Sequence, residues 1–325
     1  MDRFLITGGC GFIGSHVAEA LLQQGHSVAL VDSLDSYYPA ATKRANLEEV
    51  GRAGGFRLYE VDVRHPVALR GVFEKERPAI VIHLAARAGV RPSIRRPAVY
   101  ASVNVGGTLH MLELARAFRV KKFVFASSSS VYGVTSRVPF CEDSADLKPI
   151  SPYGATKLAG EMLCHAYAHL HGLSVTCLRL FSVYGPRQRP DLVIHKFIAS
   201  LEAGRPIPIF GDGASGRDFT YIKDIVAGIL ASVSHGAQYD VFNLGNSRPV
   251  TILELVRLLE QITGKRTRLR FLPARAGDVT LTWADITKAR RLLGYDPRTS
   301  LSQGLKRFLA WRHHAKSPAL EGAGL

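Results

Sequence analysis

Sulfur and indole side chains are scarce: 4 Cys, 3 Met and 2 Trp among 325 residues. Cys10, Cys141, Cys164 and Cys177 are scattered and lack metal-type spacing, so they read as reduced thiols in a cytoplasmic protein. No apolar run reaches the roughly 18–20 residues that cross a bilayer, which argues against a membrane span. The opening residues enter a strand pattern at once and show no signal-peptide cleavage pattern. No internal repeat or low-complexity segment stands out. Acidic residues are the minority, 27 against 42 Lys and Arg, for a net charge of +15. Such a balance can serve nucleic-acid binding, where basic residues neutralise phosphates. Here the arginines are spread along the chain, and no RNA-binding motif with interleaved aromatics occurs. The charge therefore reads as a solvated basic surface with a pocket for an anionic small molecule, not as a nucleic-acid interface.

What is present is a core-forming composition: 46% hydrophobic, with 30 Gly and 16 Pro. It fits one large or two modest domains. Short apolar strand patterns at 4–7, 27–31, 57–61, 79–83, 122–127 and 174–180 alternate with helical ones. In the first helix Ile13, Val17 and Leu21 form one apolar stripe, which Gly25 ends. Alternation of this kind predicts an α/β fold, a doubly wound parallel sheet over 1–180 with helices on both faces. After Phe181, loops rich in Gly, Pro and Arg appear among helical patterns near 191–203, 251–262, 285–293 and 301–314. They predict a smaller C-terminal α/β unit over 181–314 that caps the sheet. A helix-then-strand pattern at 222–244 predicts a return to the first domain, and 315–325 reads as a loose tail.

Two stretches carry chemistry. Thr7-Gly8-Gly9-Cys10-Gly11-Phe12-Ile13-Gly14 follows the first strand and opens the first helix. Glycines at 8, 11 and 14 permit the tight turn and let backbone N–H groups, those of Phe12 and Ile13 included, approach a pyrophosphate. Asp32 ends the second strand, where a carboxylate accepts hydrogen bonds from a ribose diol and repels a 2′-phosphate, favouring NAD over NADP. Lys43 and Arg44 come too late in the chain to read as a 2′-phosphate site. Asp62 and Val63 end the third strand, within reach of an adenine; the small residues of Leu84-Ala85-Ala86 let backbone pass close to a cofactor. Asn104 and Thr108 lie one turn apart, suited to cofactor contact or to helix packing.

The second stretch is Ser151-Pro152-Tyr153-Gly154-Ala155-Thr156-Lys157. Ser151 suits an N-cap and Pro152 the first helical position. Tyr153 and Lys157 then share one helix face. A nearby ammonium lowers a tyrosine pKa, and such a pair could move a proton on and off a sugar hydroxyl. Ser127-Ser128-Ser129-Ser130 runs off the fifth strand, where a hydroxyl can relay or hold that proton.

Together with Arg217-Asp218-Phe219-Thr220-Tyr221-Ile222, these motifs resemble the extended short-chain dehydrogenase/reductases, the nucleotide-sugar epimerase and dehydratase family, over about residues 3–312. The resemblance implies a Rossmann domain with bound NAD, a triad of Ser128, Tyr153 and Lys157, and Ser130 as a second hydroxyl near the substrate. It also implies a homodimer built from helices near 98–118 and 153–170. Dehydratase and decarboxylase relatives carry acids before the VYG where this chain has Ser129 and Ser130, which points to simple epimerisation.

Three segments are most similar to UDP-glucuronate 4-epimerases: 36–44, the stretch from Leu84 to Ser93 that includes Arg91, and Leu178 to Pro186. In that resemblance Ser182 leaves room for a sugar carboxylate and donates to it. Arg189 approaches the same carboxylate, held bidentately as a lysine could not do. Read without the family, Arg189 is a solvated loop arginine. Arg217, Arg275 and Asp278 match residues around the nucleotide diphosphate. Arg87, Pro92 and Gln188 replace the usual glutamine, tyrosine and glycine near the expected sugar site. The expected function is NAD-dependent 4-epimerisation of UDP-glucuronate. UDP-glucose or UDP-N-acetylglucosamine 4-epimerase, a decarboxylase, and a non-catalytic NAD- or RNA-binding member stand as alternatives.

Overall fold

The structure, a computed structural model, describes residues 2–134, 137–274 and 279–314. The first half alternates strand and helix: β1 (Arg3–Thr7), α1 (Phe12–Gln23), β2 (Ser27–Val31), α2 (Ala40–Ala53), β3 (Arg57–Tyr59), α3 (Pro66–Glu76) and β4 (Ile80–His83). Then come α4 (Val90–Arg95), α5 (Pro97–Tyr100), a π-helical turn at Ala101–Gly106, α6 (Gly107–Ala117), β5 (Lys122–Ser128), α7 (Pro152–His171) and β6 (Val175–Leu180). The remainder holds β7 (Ser182–Tyr184), α8 (Val193–Glu202), β8 (Ile207–Phe210), β9 (Gly216–Tyr221), α9 (Ile222–Val233) and β10 (Tyr239–Leu244). It ends with β11 (Pro249–Thr251), α10 (Ile252–Thr263), β12 (Leu269–Leu272), α11 (Thr287–Leu293) and α12 (Leu301–His314).

Seven strands form one sheet in the order β3-β2-β1-β4-β5-β6-β10, every pair parallel. This is the expected Rossmann-like doubly wound sheet, and β10 joins it beside β6. Alternate residues feed two cores. Phe4, Ile6, Val124 and Ala126 face one, while Leu5, Phe123 and Phe125 face the other. Both faces are apolar because helices cover both, as a parallel sheet requires. Additional elements form a three-stranded sheet, β11-β9-β7, and a β8-β12 pair. Among the described residues no helix is long and apolar enough to cross a membrane.

Two expectations shift in detail. The third strand stops at Tyr59, because the Val61 N–H turns back to the Tyr59 carbonyl (2.9 Å). The long helix expected near 98–118 is broken by the π-helical turn, which carries Asn104 inward. Such turns often re-aim a side chain at a functional site.

Three imidazoles are buried in the neutral form: burial holds His16 and His83 down at about 3, and His195 at about 4. The tautomer of His83 follows from its partners. Thr108 Oγ1 donates to the Asn104 carbonyl (2.6 Å), so it accepts from His83 Nε2–H (3.0 Å). Thr7 Oγ1 accepts from the Ala85 N–H (3.2 Å) and donates to His83 Nδ1 (2.6 Å). All three folded pKa values lie below the unfolded imidazole value, so the unfolded chain binds more protons as pH falls. Their stabilising contribution is complete above about pH 6.5 and is lost progressively toward pH 3–4. Unfolding free energy should fall by up to about 4 kcal/mol per pH unit below pH 6, about 1.4 per imidazole. Urea unfolding between pH 7.5 and 5 measures this; a flat profile would contradict the neutral burial of these rings.

Candidate active site

At the carboxyl end of β1 the chain makes the tight turn its glycines allow. Gly8 sits at φ +70°, and a Cβ there would lie 2.9 Å from the Ala85 nitrogen. A Cβ on Gly14 would lie 2.2 Å from the Gly8 carbonyl oxygen, so only glycine lets α1 start this close to the turn. The α1 N-terminus begins after Gly11 with no side-chain cap and no acidic residue in its first turn. Its first amides, at Phe12, Ile13 and Gly14, are thus left for an anion. Phe12 is buried and Ile13 half-buried. Leu84 donates its N–H to the Thr7 carbonyl (3.1 Å), and Ala85 donates to Thr7 Oγ1, so β4's exit loop, on through Ala86, lies beside the turn. These features fit a dinucleotide pyrophosphate.

Asp32 is buried beside the same turn. It accepts from the Cys10 N–H (3.2 Å), the Leu34 N–H (2.9 Å) and Lys43 Nζ (3.0 Å). Lys43 reaches this carboxylate from α2, a pairing that the sequence reading, which weighed Lys43 only as a 2′-phosphate site, did not anticipate. It sits in the first turn of α2, which the loop after β2 brings back to Asp32, a relation that strand-end counting does not capture. Asp62 is held bidentately by Arg64, which keeps its carboxyl below the usual range. It lines a cavity of about 370 Å³ with Ser33, Glu60 and His65. Val63 is buried against Gly107, where a Cβ would lie 2.6 Å from Val63 Cγ2.

Ser151 caps α7 as expected, accepting the Gly154 N–H at 3.1 Å, with Pro152 in the first turn. A Cβ on Gly154 would lie 2.5 Å from the Ser130 carbonyl oxygen, so glycine lets α7 press on the serine segment. Ser128 donates to Ser130 Oγ (3.2 Å) and is hydrogen-bonded to the Tyr153 hydroxyl. Ser128, Ser130 and Tyr153 therefore meet.

Lys157 is also there, with a different partner from the expected one. Its Nζ donates to the Ala126 carbonyl (2.7 Å) and lies 5.1 Å from the Phe125 ring centroid. Burial pushes Tyr153 up, not down; the groups pulling it back are Ser128 and Arg189, not Lys157. The lysine itself is lowered by burial to about 8. Shared helix face placed the pair correctly, but the lysine's bond to the end of β5 decides its electrostatic reach.

Arg189 is half-buried, its side chain 17% exposed, where the sequence alone reads a solvated loop arginine. Its Nε and Nη2 donate to Asp191, each at 2.9 Å, and its guanidinium lies 5.5 Å from the Tyr37 ring centroid. Ser182 lies half-buried on β7, opposite Phe219 of β9. Arg217 lies on β9 and donates to the Gly216 carbonyl (2.8 Å). Arg91 sits over the Phe210 ring at 5.6 Å. Ser93 is buried, and its hydroxyl is spent on the Val90 carbonyl (2.5 Å) within α4. Arg275 and Asp278 lie outside the described residues.

Asn104 uses its whole amide. It accepts from the Arg87 N–H (2.7 Å) and donates to the Arg87 carbonyl and to Thr156 Oγ1, both at 3.0 Å. It pins the β4 exit loop to α7. Sequence reading missed a buried ionic hub just behind. Arg179 on β6 holds Glu161 on α7 through Nε and Nη2 (3.0 and 2.8 Å), and Ser127 donates to the same carboxylate. Arg179 Nη1 reaches the Tyr132 hydroxyl (3.0 Å), which donates to Asn243 Oδ1 (2.7 Å) on β10. A glutamate four residues past Lys157 was the available signal.

Comparison with known proteins agrees with this architecture. Residues 4–245 match the model of the NAD dependent epimerase/dehydratase family. The chain is 44% identical over 312 residues to a UDP-glucuronate 4-epimerase of Thermodesulfobacterium geofontis, covering 96% of each chain. It superimposes with a TM-score of 0.90 on UDP-glucuronic acid 4-epimerase of Bacillus cereus, solved with UDP-glucuronic acid and NAD, at 37% identity and covering 96% and 99% of the chains. Against UDP-glucose 4-epimerase of Thermotoga maritima, solved with UDP-glucose, the TM-score is 0.89 at 37% identity, covering 96% and 98%. The chain belongs to the NAD dependent epimerase/dehydratase family.

The hub yields a stability test. Glu161 and Arg179 side chains are 0% and 3% exposed, so Glu161→Gln leaves a buried guanidinium short of its counter-charge. That should cost about 3–5 kcal/mol. Urea unfolding of wild-type and variant protein reads it, and a loss below about 1 kcal/mol, the range of surface pairs, would show the pair to be dispensable.

Proposed function

We propose that this family member inverts C4 of a UDP-sugar with NAD as resident cofactor, and that the sugar is glucuronate, giving UDP-galacturonate. The observation that carries the choice of sugar is Arg189: a half-buried guanidinium, fixed by Asp191, whose charge is felt by Tyr153. The first amides of α1, Asp32, Asp62 and the Leu84–Ala86 loop would hold the cofactor, with Asn104 pinning that loop to α7 behind it. Bound there, NAD would supply a reversible hydride acceptor for C4.

The chain's own residues manage the proton and the sugar. Tyr153 removes the proton of the 4-hydroxyl and gives it back. Ser128 and Arg189 stabilise the phenolate against the burial that disfavours it. Lys157, ammonium below about pH 8, places a positive charge in the same buried site. Ser130 and Ser182 would supply hydroxyls toward the sugar, Arg91 would line the substrate site, and Arg217 would anchor the nucleotide diphosphate. The 4-keto sugar turns about its diphosphate linkage between the two hydride steps. With a uronate, that ketone is a β-keto acid, which loses CO₂ when the C–CO₂ bond aligns with the carbonyl π-system. A carboxylate gripped by Arg189 in another orientation is protected. Exposed Leu109, Met162 and Leu170 on α6 and α7 support a homodimer through those helices.

A second reading, UDP-glucose 4-epimerisation, is supported by the equal identity to the Thermotoga maritima enzyme. Incubation with UDP-glucuronate, UDP-glucose and their acetamido forms, followed by NMR at C4, separates them. Inversion of the uronate and little of the hexose is expected; the reverse order sinks the uronate assignment. Tyr153→Phe should lower turnover by about 10²–10⁴-fold while NAD still copurifies, and undiminished turnover would remove Tyr153 from the mechanism. Arg189→Ala should weaken the preference for uronate or release UDP-pentose and CO₂. A variant with full uronate activity and no pentose product counts against its role.

A further inference from the structure

Three loops meet on one aromatic ring. The guanidinium carbon of Arg87, from the loop after β4, lies 5.1 Å from the Tyr37 ring centroid; that of Arg189, from the loop after β7, lies 5.5 Å from it. Tyr37 itself follows β2. Each cation is tied to a carboxylate, Arg87 to Asp35 and Arg189 to Asp191. Asp35 also accepts the Tyr37 N–H (2.8 Å). The Tyr37 hydroxyl is hydrogen-bonded to that of Tyr100. Tyr100 donates to the Ala88 carbonyl (2.7 Å) and meets the Tyr153 ring edge-on at 6.3 Å. The Arg87 backbone is held at both its N–H and its carbonyl by Asn104. The ring is thus fixed to the rigid sheet side of the cleft, while Arg189 reaches it from beyond β7.

We propose that Tyr37, braced by Arg87 and Asp35, is a positioning residue for Arg189 that confers selectivity for a sugar carboxylate. The proposal rests on the uronate reading above. Asp191 takes the Nε–Nη2 edge of the guanidinium, which directs the Nη1–Nη2 edge to a second carboxylate in fork geometry. The ring supplies a face for the same plane. Long arginine side chains lose rotamer freedom when they bind; one already held in place does not, so affinity rises without any added contact. Two cations and two carboxylates balance, so net charge does not select the ligand. Orientation of one edge does. Arg87 stands where the related segment carries glutamine, a side chain without the charge to pair with Asp35 or lie on the ring as a cation.

The test uses NAD-loaded full-length protein as wild type, Tyr37→Ala, Tyr37→Phe and Arg87→Gln. Three quantities are read: kcat and KM for UDP-glucuronate, the inhibition constant of UDP, and hydrogen exchange of backbone amides 186–192 without sugar. Tyr37→Ala should raise the uronate KM by about tenfold, the scale of a lost cation–π contact in a desolvated site. It should also quicken exchange in that loop, and leave UDP inhibition and NAD content near wild type. Tyr37→Phe, which keeps the ring, should restore KM, and Arg87→Gln should fall between. Unchanged loop exchange in Tyr37→Ala, or a rise in KM matched by UDP inhibition, overturns the proposal. If the wild-type enzyme does not turn over the uronate, the substrate reading fails, and loop exchange still decides whether Tyr37 holds Arg189.

Discussion

The site hangs on one buried ion pair. Glu161 and Arg179 lie between α7 and β6, and what they bind runs outward to every part of the reacting end. Ser127 donates to Glu161 from the residue before Ser128, and Tyr132 takes Arg179 and passes the link to Asn243 on β10. The same helix carries Tyr153 and Lys157, and Lys157 grips β5 at Ala126. Strand ends are where parallel sheets fray, because their last carbonyls and amides lack a continuing ladder. Here those ends are tied to one another through charge. A buried pair of this kind gains little over apolar packing in stability; its use is to permit one arrangement. Half-satisfied, it would be worse than none, and here every oxygen of Glu161 has a donor.

Burial creates the chemical problem the site must solve. Enclosing Tyr153 raises its pKa and favours the phenol, yet a base must shed that proton. The opposing forces come from Ser128 and Arg189, one on the sheet and one beyond β7. A guanidinium that grips the substrate's carboxylate would share its charge between that anion and the phenolate. On the proposed uronate reading, substrate choice and proton transfer would draw on one residue, whose guanidinium a ring and a carboxylate hold.

Much of this was legible in the sequence because it rests on local rules. Strand–helix alternation gave the sheet, glycine spacing gave the turn before α1, and Ser151-Pro152 gave the start of α7. The Ser128–Tyr153 meeting was an expectation of the family resemblance; position at a strand end offered only a cluster of serines. What escaped reading depends on separations of tens of residues. Nothing local tells that Glu161 meets Arg179, that Lys43 returns to Asp32, or that Asn104 spends its amide on Arg87 and Thr156. Spacing placed Tyr153 and Lys157 on one helix face, yet the direction of an ammonium depends on which carbonyl lies within reach. Ser93 shows the converse: a motif position whose hydroxyl is consumed inside its own short helix.

The net charge of +15 finds its place in the same terms. Five buried or half-buried arginines have acidic partners: Arg179 with Glu161, Arg187 with Glu19, Arg189 with Asp191, Arg312 with Glu202 and Arg87 with Asp35. Two buried lysines lack one. Lys157 donates to Ala126, Lys122 donates to the His235 carbonyl (2.7 Å) and to Ser174, and burial brings both down to about 8. Desolvation therefore acts on whichever cation has no carboxylate to offset it. Guanidinium cannot yield its proton at neutral pH, so each enclosed arginine needs its acid. Ammonium can yield, so an enclosed lysine can stand on carbonyls alone and become a group that titrates where enzymes work. The basic excess is left to the surface, and the interior keeps one lysine, lowered to about 8, on the same helix as Tyr153, where the proposed mechanism moves a proton.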